Sequence, residues 1–218
     1  MRENEINNLK KSLILLTSFF AVSSCSLIGI QNEEGPEYEV LIKEGEFEIR
    51  QYSSYVIAET TVEGDIDNAS GDAFRILAGY IFGNNKGENK IAMTSPVEME
   101  QRSTKIAMTS PVEMQQNNNS FTMRFSMPSK YKIEDLPVPL DSRIKFEVIK
   151  AEVRASNRYS WLNSRAKSLK KSKELRTWLQ NHGNYTANKD YIVAGYNPPW
   201  TLPFFRRNEV HIVLRSDI

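Results

Sequence analysis

Twice along this chain a period-2 alternation of apolar residues gives way to a helical spacing and then returns, and that recurrence limits the folds open to it. Tyr38 to Lys43 and Phe47 to Tyr52 alternate around Glu44-Gly45, which reads as a strand pair turning at the glycine. Tyr55 to Val62 is rich in β-branched residues and continues as strand. From about Asn68 the spacing changes. Ala73, Ile76, Leu77, Tyr80 and Ile81 predict an amphipathic helix with Asn68 or Ser70 as N-cap and Gly83 as the stop. Strands return and end with Phe121 to Met127. In the second half Ile144 to Val153 alternates with charged partners. A second helical pattern then places Leu162, Ala166, Leu169, Leu175 and Leu179 on one face, with His182-Gly183 near its end. Tyr191 to Tyr196 and Val210 to Leu214 close the chain as strands.

Each half alone leaves an apolar sheet face and a helix stripe uncovered, so the two pack into one domain. The expectation is α+β: duplicated β-α-β-β halves forming a curved, largely antiparallel sheet or open barrel with two helices. Pro128 to Asp141, with Leu136-Pro-Val-Pro-Leu140, is too proline-rich for helix and reads as an extended connection. The decapeptide Lys90 to Met99 recurs unchanged at Lys105 to Met114, a period of 15, too short and too few for a solenoid. It reads as a tandem duplication held as a hairpin turning at Gln101 to Thr104, with one copy in the core. The other reading is a flap of Met93, Met99, Met108 and Met114 over a ligand.

Residues 1–24 read as an address. Arg2, Lys10 and Lys11 precede the apolar run Leu13 to Val22, and Ser23 and Ser24 lead to Cys25, the one cysteine of the chain. Val22-Ser23-Ser24-Cys25 resembles the bacterial lipobox. That resemblance implies lipidation at Cys25, a tether over 25–37, and a domain over 38–218 anchored to a membrane of the bacterial cell envelope, with Ser26 favouring the outer one. The other reading is an ordinary cleaved signal. No disulfide can form within the chain, so the core must stabilise the fold.

Basic and acidic residues number 28 and 27, a net charge of +1 that gives no field to hold a nucleic acid. Two histidines and one cysteine leave few metal ligands. No run approaches the ~18 residues that span a bilayer. There is no phosphate loop, His-Glu-x-x-His, Cys-x-x-Cys or nucleophile elbow, so no residue is assigned to catalysis and the chain reads as a non-enzyme. Lys150 to Arg176 holds nine basic and two acidic residues, a solvated helix face or one that meets anionic lipid headgroups.

Several segments resemble the SOUL heme-binding protein family. They are Phe47-Glu-Ile-Arg-Gln-Tyr52, Phe74-Arg-Ile-Leu-Ala-Gly-Tyr-Ile-Phe-Gly83, the Lys-Ile-Ala-Met-Thr-Ser-Pro-Val stretches, Met127-Pro128 with Leu136-Pro137, and Tyr196-Asn-Pro-Pro-Trp-Thr-Leu-Pro-Phe-Phe-Arg-Arg-Asn-Glu-Val210. The resemblance runs from Tyr38 to Leu214. It implies a duplicated fold of the bacterial effector-binding kind and a non-covalent association with heme or another tetrapyrrole. Some family members carry a histidine where this chain has Gln51, so that route to iron is absent. His182 reads as a helix-end polar group and His211 as an outward strand residue, each with axial ligation as the alternative. A flat apolar ring with carboxylates fits an aromatic or Met-lined groove with an arginine rim. The candidates are Arg50, Tyr52, Tyr80, Met93 or Met108, Trp161, Trp200, Arg206 and Arg207. Tyr80, Phe74 and Trp178 also read as core packing. Rival readings are an effector-type binder of another amphipathic small molecule, using the same cleft, and an envelope module that docks a protein through the Met-rich hairpin.

Overall fold

The alternating segments become strands and the two helical spacings become helices in a computed structural model that describes residues 34–216 apart from 65, 104–118, 183–184 and 199. The first half holds β1 (Tyr38–Glu44), β2 (Phe47–Tyr52), β3 (Tyr55–Glu63), α1 (Ile66–Ile81), β4 (Val97–Ser103) and β5 (Asn119–Ser126). The second holds β6 (Lys145–Ile149), β7 (Glu152–Tyr159), α2 (Arg165–Leu179), β8 (Tyr185–Ala187), β9 (Ile192–Gly195) and β10 (Asn208–Ser216). Gly45, at φ 59°, turns β1 into β2, and Gly83, at φ 114°, stops α1 where a side chain would be strained. Helix α1 starts at Ile66, so Asn68 and Ser70 lie within it rather than capping it. The single strand expected over 144–153 is two, broken at Lys150-Ala151.

All strands join one antiparallel sheet in the order β1-β2-β7-β10-β9-β4-β5-β3-β6, with β8 on β10. Strands β2 and β3 follow one another across Ser53-Ser54, as β6 and β7 do across Lys150-Ala151. Tyr52 pairs with Glu152 and Tyr55 with Ile149, so β2·β7 and β3·β6 are two stretches of one bent ribbon. That ribbon draws the two ends of the strand order together, and the sheet curls into a half-barrel with both helices outside.

Each helix covers one part of the sheet, and because β2 pairs with β7 and β3 with β6 the division does not follow the two halves of the chain. Ala73, Leu77, Tyr80 and Ile81 of α1 pack on Phe121, Met123 and Phe125 of β5. Leu175 and Leu179 of α2 pack on Ile49, Ala155, Val210 and Ile212. Each fully buried large side chain here contributes about 1.5–3 kcal/mol. The rest of the stripe expected on α2 does not reach the core. Its buried face runs Ser168, Ser172, Leu175, Leu179, a regular helical row, while Leu162 and Leu169 are 50% and 43% exposed. The small serines let the helix lie close to β7, where Asn157 donates to the Lys171 carbonyl at 3.1 Å. Their hydroxyls return to the carbonyls of Arg165 and Leu169.

The first copy of the repeated decapeptide occupies the core slot. Ile91 and Thr94 are buried, and Met93, Val97 and Met99 pack against the first cluster. Strand β4 runs on through Gln101 to Ser103 in register with β5, so no turn lies there and the hairpin partner is β5. The second copy, with Met108, lies outside the described residues. No helix among the described residues is long and apolar enough to cross a membrane.

Candidate functional site

Strand alternation sends one set of side chains to the helices and the other to the opposite face. On β2 that second set is Glu48, Arg50 and Tyr52; on β7 Arg154 and Ser156; on β10 Glu209 and His211; on β4 Glu98; on β5 Arg124. A flat sheet would give this face to water. Because the sheet curls, it is an interior, and an array of ion pairs fills it.

Glu209, with no solvent exposure, accepts from Arg50 Nη1 and Nη2 at 2.7 and 3.1 Å and from Tyr196 Oη at 2.8 Å. It also accepts from Arg207 Nε and Nη2 at 2.9 and 2.6 Å and lies 2.7 Å from His211 Nε2. Burial by itself would raise the Glu209 carboxyl; the hydrogen bonds of His211 and Arg50 overcome it and hold the group well below the usual carboxylate range. Arg154 donates to Glu98 at 2.5 Å, Glu152 at 2.6 Å and Tyr55 Oη at 2.6 Å, with its guanidinium 5.0 Å from the Tyr52 ring centre. Arg124 bridges Glu59 and Glu100 at 3.0 Å each.

This interior takes up three of the residues proposed from sequence. Arg50 is 2% exposed, with its guanidinium on Glu48 and Glu209. Tyr52 is buried beside it, and desolvation pushes its hydroxyl up to about 12. His211, expected to point outward, is 1% exposed. The expectation assumed that the face opposite the helix meets solvent, and the curl of the sheet removes that solvent. Burial lowers the His211 pKa against the pull of Glu209. The imidazole is therefore neutral, with Nε2–H donated to the carboxylate and Nδ1 left without a hydrogen-bond partner. Glu48, on the same face of β2, belongs to the same array.

Two more candidates lie in the first core. Tyr80 has no exposure and donates to the Pro137 carbonyl at 3.0 Å, and Met93 packs beside it. His182 closes the far end of α2. Its ring lies 4.3 Å from Trp178, with Nδ1 3.2 Å from the Trp178 carbonyl oxygen. Among the described residues no group of three or more His, Cys, Asp or Glu could hold a metal ion.

The structure brings the remaining four together at the end of the half-barrel where β9 turns into β10. Trp161 donates its backbone N–H to the Pro203 carbonyl at 2.8 Å, and Asn208 Nδ2 donates to the Trp161 carbonyl at 2.8 Å. Thr201 donates to Pro198, and Phe205 to Leu202, through backbone N–H groups. Arg206 Nε donates to the Thr201 carbonyl at 2.9 Å, and Arg207 lies 4.1 Å over the Tyr196 ring while pairing with Glu209. The braced loop holds apolar side chains outward: Trp200 is 64% exposed, Phe204 54%, and Trp161, Phe205 and Leu202 are also exposed. Trp161 sits at φ 83°, a left-handed conformation that costs a bulky residue about 1–3 kcal/mol. Sequence reasoning missed Leu202, Phe204 and Phe205. Their signal was a run of apolar residues among prolines with neither strand nor helix period.

The surface suits an apolar plate with an acidic edge, since aromatic faces stand beside Arg206. It brings no histidine to such a plate. His211 is enclosed, and His182 lies beyond the whole length of α2, about 22 Å at 1.5 Å per residue. The cleft between 34–37, 53–56 and 127–131 measures about 170 Å³, below the roughly 300 Å³ where ligand pockets begin.

Among solved structures, the chain superposes on the EcmrR C-terminal domain with a TM-score of 0.56 at 10% identity, covering 82% of this chain and 98% of that one. The crystal structure of a hydrolase from Listeria innocua gives 0.54 at 10% identity, over 80% of this chain and 94% of that one. Likeness at that identity is one of fold alone. By sequence, Heme-binding protein 2 of Homo sapiens is 31% identical over 175 residues, 79% of this chain and 80% of the human protein. Heme-binding protein 1 of Xenopus laevis is 29% identical over 201 residues, 89% and 98% of the two chains. The model of the family described as SOUL heme-binding protein matches residues 33–213, and the chain belongs to that family.

Proposed function

We propose that this protein binds heme or a related tetrapyrrole non-covalently on the exposed aromatic surface of Trp161, Trp200, Leu202, Phe204 and Phe205, with Arg206 at its edge. Family membership supplies the ligand class. The observation that carries the location is the contrast between two faces: the half-barrel interior is filled by the chain's own ion pairs, whereas the β9–β10 loop is braced to keep large apolar side chains in water. Such a cluster is costly to expose without a partner. Binding then rests on ring contact and carboxylate pairing rather than on iron.

Ferric hemin and iron-free protoporphyrin therefore both bind saturably, and His182→Ala and His211→Gln leave their titrations unchanged. Absence of saturation with either ring would retire the reading; loss of hemin binding in one histidine variant would place the ligand on iron instead.

In the same reading the domain is held on a bacterial cell envelope, outer membrane first, by lipid on Cys25. The apolar run Leu13 to Val22 and the serines before Cys25 support it. A mature chain recovered from membranes begins at Cys25 with added acyl mass, and Cys25→Ser is released to the soluble fraction; an unmodified N-terminus elsewhere would contradict it.

A further inference from the structure

The first two turns of α2 face the opposite way from what their composition asks, although Leu175 and Leu179 further on enter the core. Serines face the core while Leu169 faces water, and the exposed apolar row continues through Leu162 to Trp161. The cost of that exposure is coupled to charge. The helix carries six basic residues and one acidic, and Arg165, Lys170 and Lys173 are exposed beside Leu169. The acidic one, Glu174, is paired with Lys171 at 2.7 Å. Ala166, Leu169, Lys170, Lys173, Thr177 and the paired Glu174 border a shallow depression of about 450 Å³ rather than a closed pocket. Apolar side chains ringed by long basic ones are the pattern of a helix lying in a lipid interface, where the cations reach headgroups while the leucines and tryptophan enter the acyl boundary.

The position of the chain's N-terminal segment agrees. The Glu34 carbonyl accepts from the Ser95 N–H at 2.9 Å, and Ser95 Oγ donates to the carbonyl of Tyr196, which opens the loop whose Pro203 carbonyl accepts from the Trp161 N–H. Eleven residues separate the apolar run ending at Val22 from Glu34. Extended, they span at most about 40 Å.

We infer that the outer face of α2, with Trp161, Leu162 and Leu169 as apolar contacts and Arg165, Lys170 and Lys173 as cationic ones, docks onto an anionic lipid bilayer. This surface shares Trp161 with the proposed tetrapyrrole surface but none of its other residues, and it stands whether or not a tetrapyrrole binds.

The test uses the full chain carrying Trp178→Phe and Trp200→Phe, so that Trp161 is the remaining tryptophan, with no hemin present. Vesicles of phosphatidylcholine alone are compared with phosphatidylcholine mixed with phosphatidylglycerol, each containing brominated lipid as quencher. Trp161 fluorescence is quenched on the anionic vesicles. The quenching is lost at about 1 M salt, where the Debye length is near 3 Å. Lys170→Glu with Lys173→Glu weakens it at least tenfold, since each basic residue at an anionic surface is worth about a fivefold change in affinity. Leu169→Ser, which leaves the charge unchanged, also weakens it, and thermal unfolding of each variant confirms that the fold is kept. Equal quenching on neutral and anionic vesicles, or none on either, overturns the inference, because the apolar N-terminal run could then account for all membrane attachment.

Discussion

Glu209→Ala lowers the unfolding free energy by about 3–5 kcal/mol, a large part of what a domain of this size has. The carboxylate is fully buried and is the common acceptor for Arg50, Arg207, Tyr196 and His211. Removing it leaves Arg50 enclosed with Glu48 as its remaining carboxylate. Urea unfolding at neutral pH measures the loss, and Glu209→Gln, which keeps the shape and some acceptors, loses less. The same group sets the acid limb of stability. Its folded pKa lies below the unfolded value of 4.5, so its contribution is present above about pH 4.5 and is lost as pH falls below it. His211 adds a second window. Held neutral by burial, with Arg154 and Arg50 nearby and Glu209 and Glu98 opposing them, it takes up a proton more readily unfolded than folded. Stability therefore begins to fall as pH drops through about 6.5 and falls again below 4.5. A flat profile from pH 7 to 4 in wild type, or an unchanged profile in Glu209→Ala, would contradict this account of the interior.

Most of the fold was legible because both halves obey the same two periods. Alternation located β1 to β3 and β5, and the row from Ala73 to Ile81 located α1 and its burial. Legibility failed wherever burial came from curvature rather than from apolar pattern. Glu98, Arg154, Glu209 and His211 look like the solvated face of half-buried strands. Only the bent ribbon of β2–β3 with β6–β7 turns that face inward, and no local pattern reports it. The exposed leucines of α2 misled for a related reason: an apolar stripe shows that a surface wants cover but not whether its own core supplies it. For the candidate site, Trp161, Trp200, Arg206 and Arg207 were chosen as aromatic and cationic partners for a flat ring with carboxylates, and they lie at the end of the half-barrel where β9 turns into β10. Arg50, Tyr52, Tyr80 and Met93 were chosen on the same grounds but serve the interior and the first core.

The proposed tetrapyrrole surface lies outside the half-barrel. Replacing Trp200 and Phe204 by alanine removes two exposed rings, each worth about 0.5–1.5 kcal/mol beyond its buried area when it stacks. With the lost area included, affinity for hemin falls about 30-fold or more. Neither side chain supports the core, at 64% and 54% exposed, so the fold and its melting temperature stay as they are. Tyr52→Phe and Met93→Leu change groups inside the half-barrel and the first core and leave hemin affinity within about twofold, close to what near-isosteric swaps cost. The decisive measurement is a hemin titration of these three variants side by side, followed by Soret absorbance. A large loss confined to Trp200→Ala with Phe204→Ala is the result the account predicts. Undiminished binding there, with loss on changing Tyr52 or Met93, would put the ligand inside and contradict it.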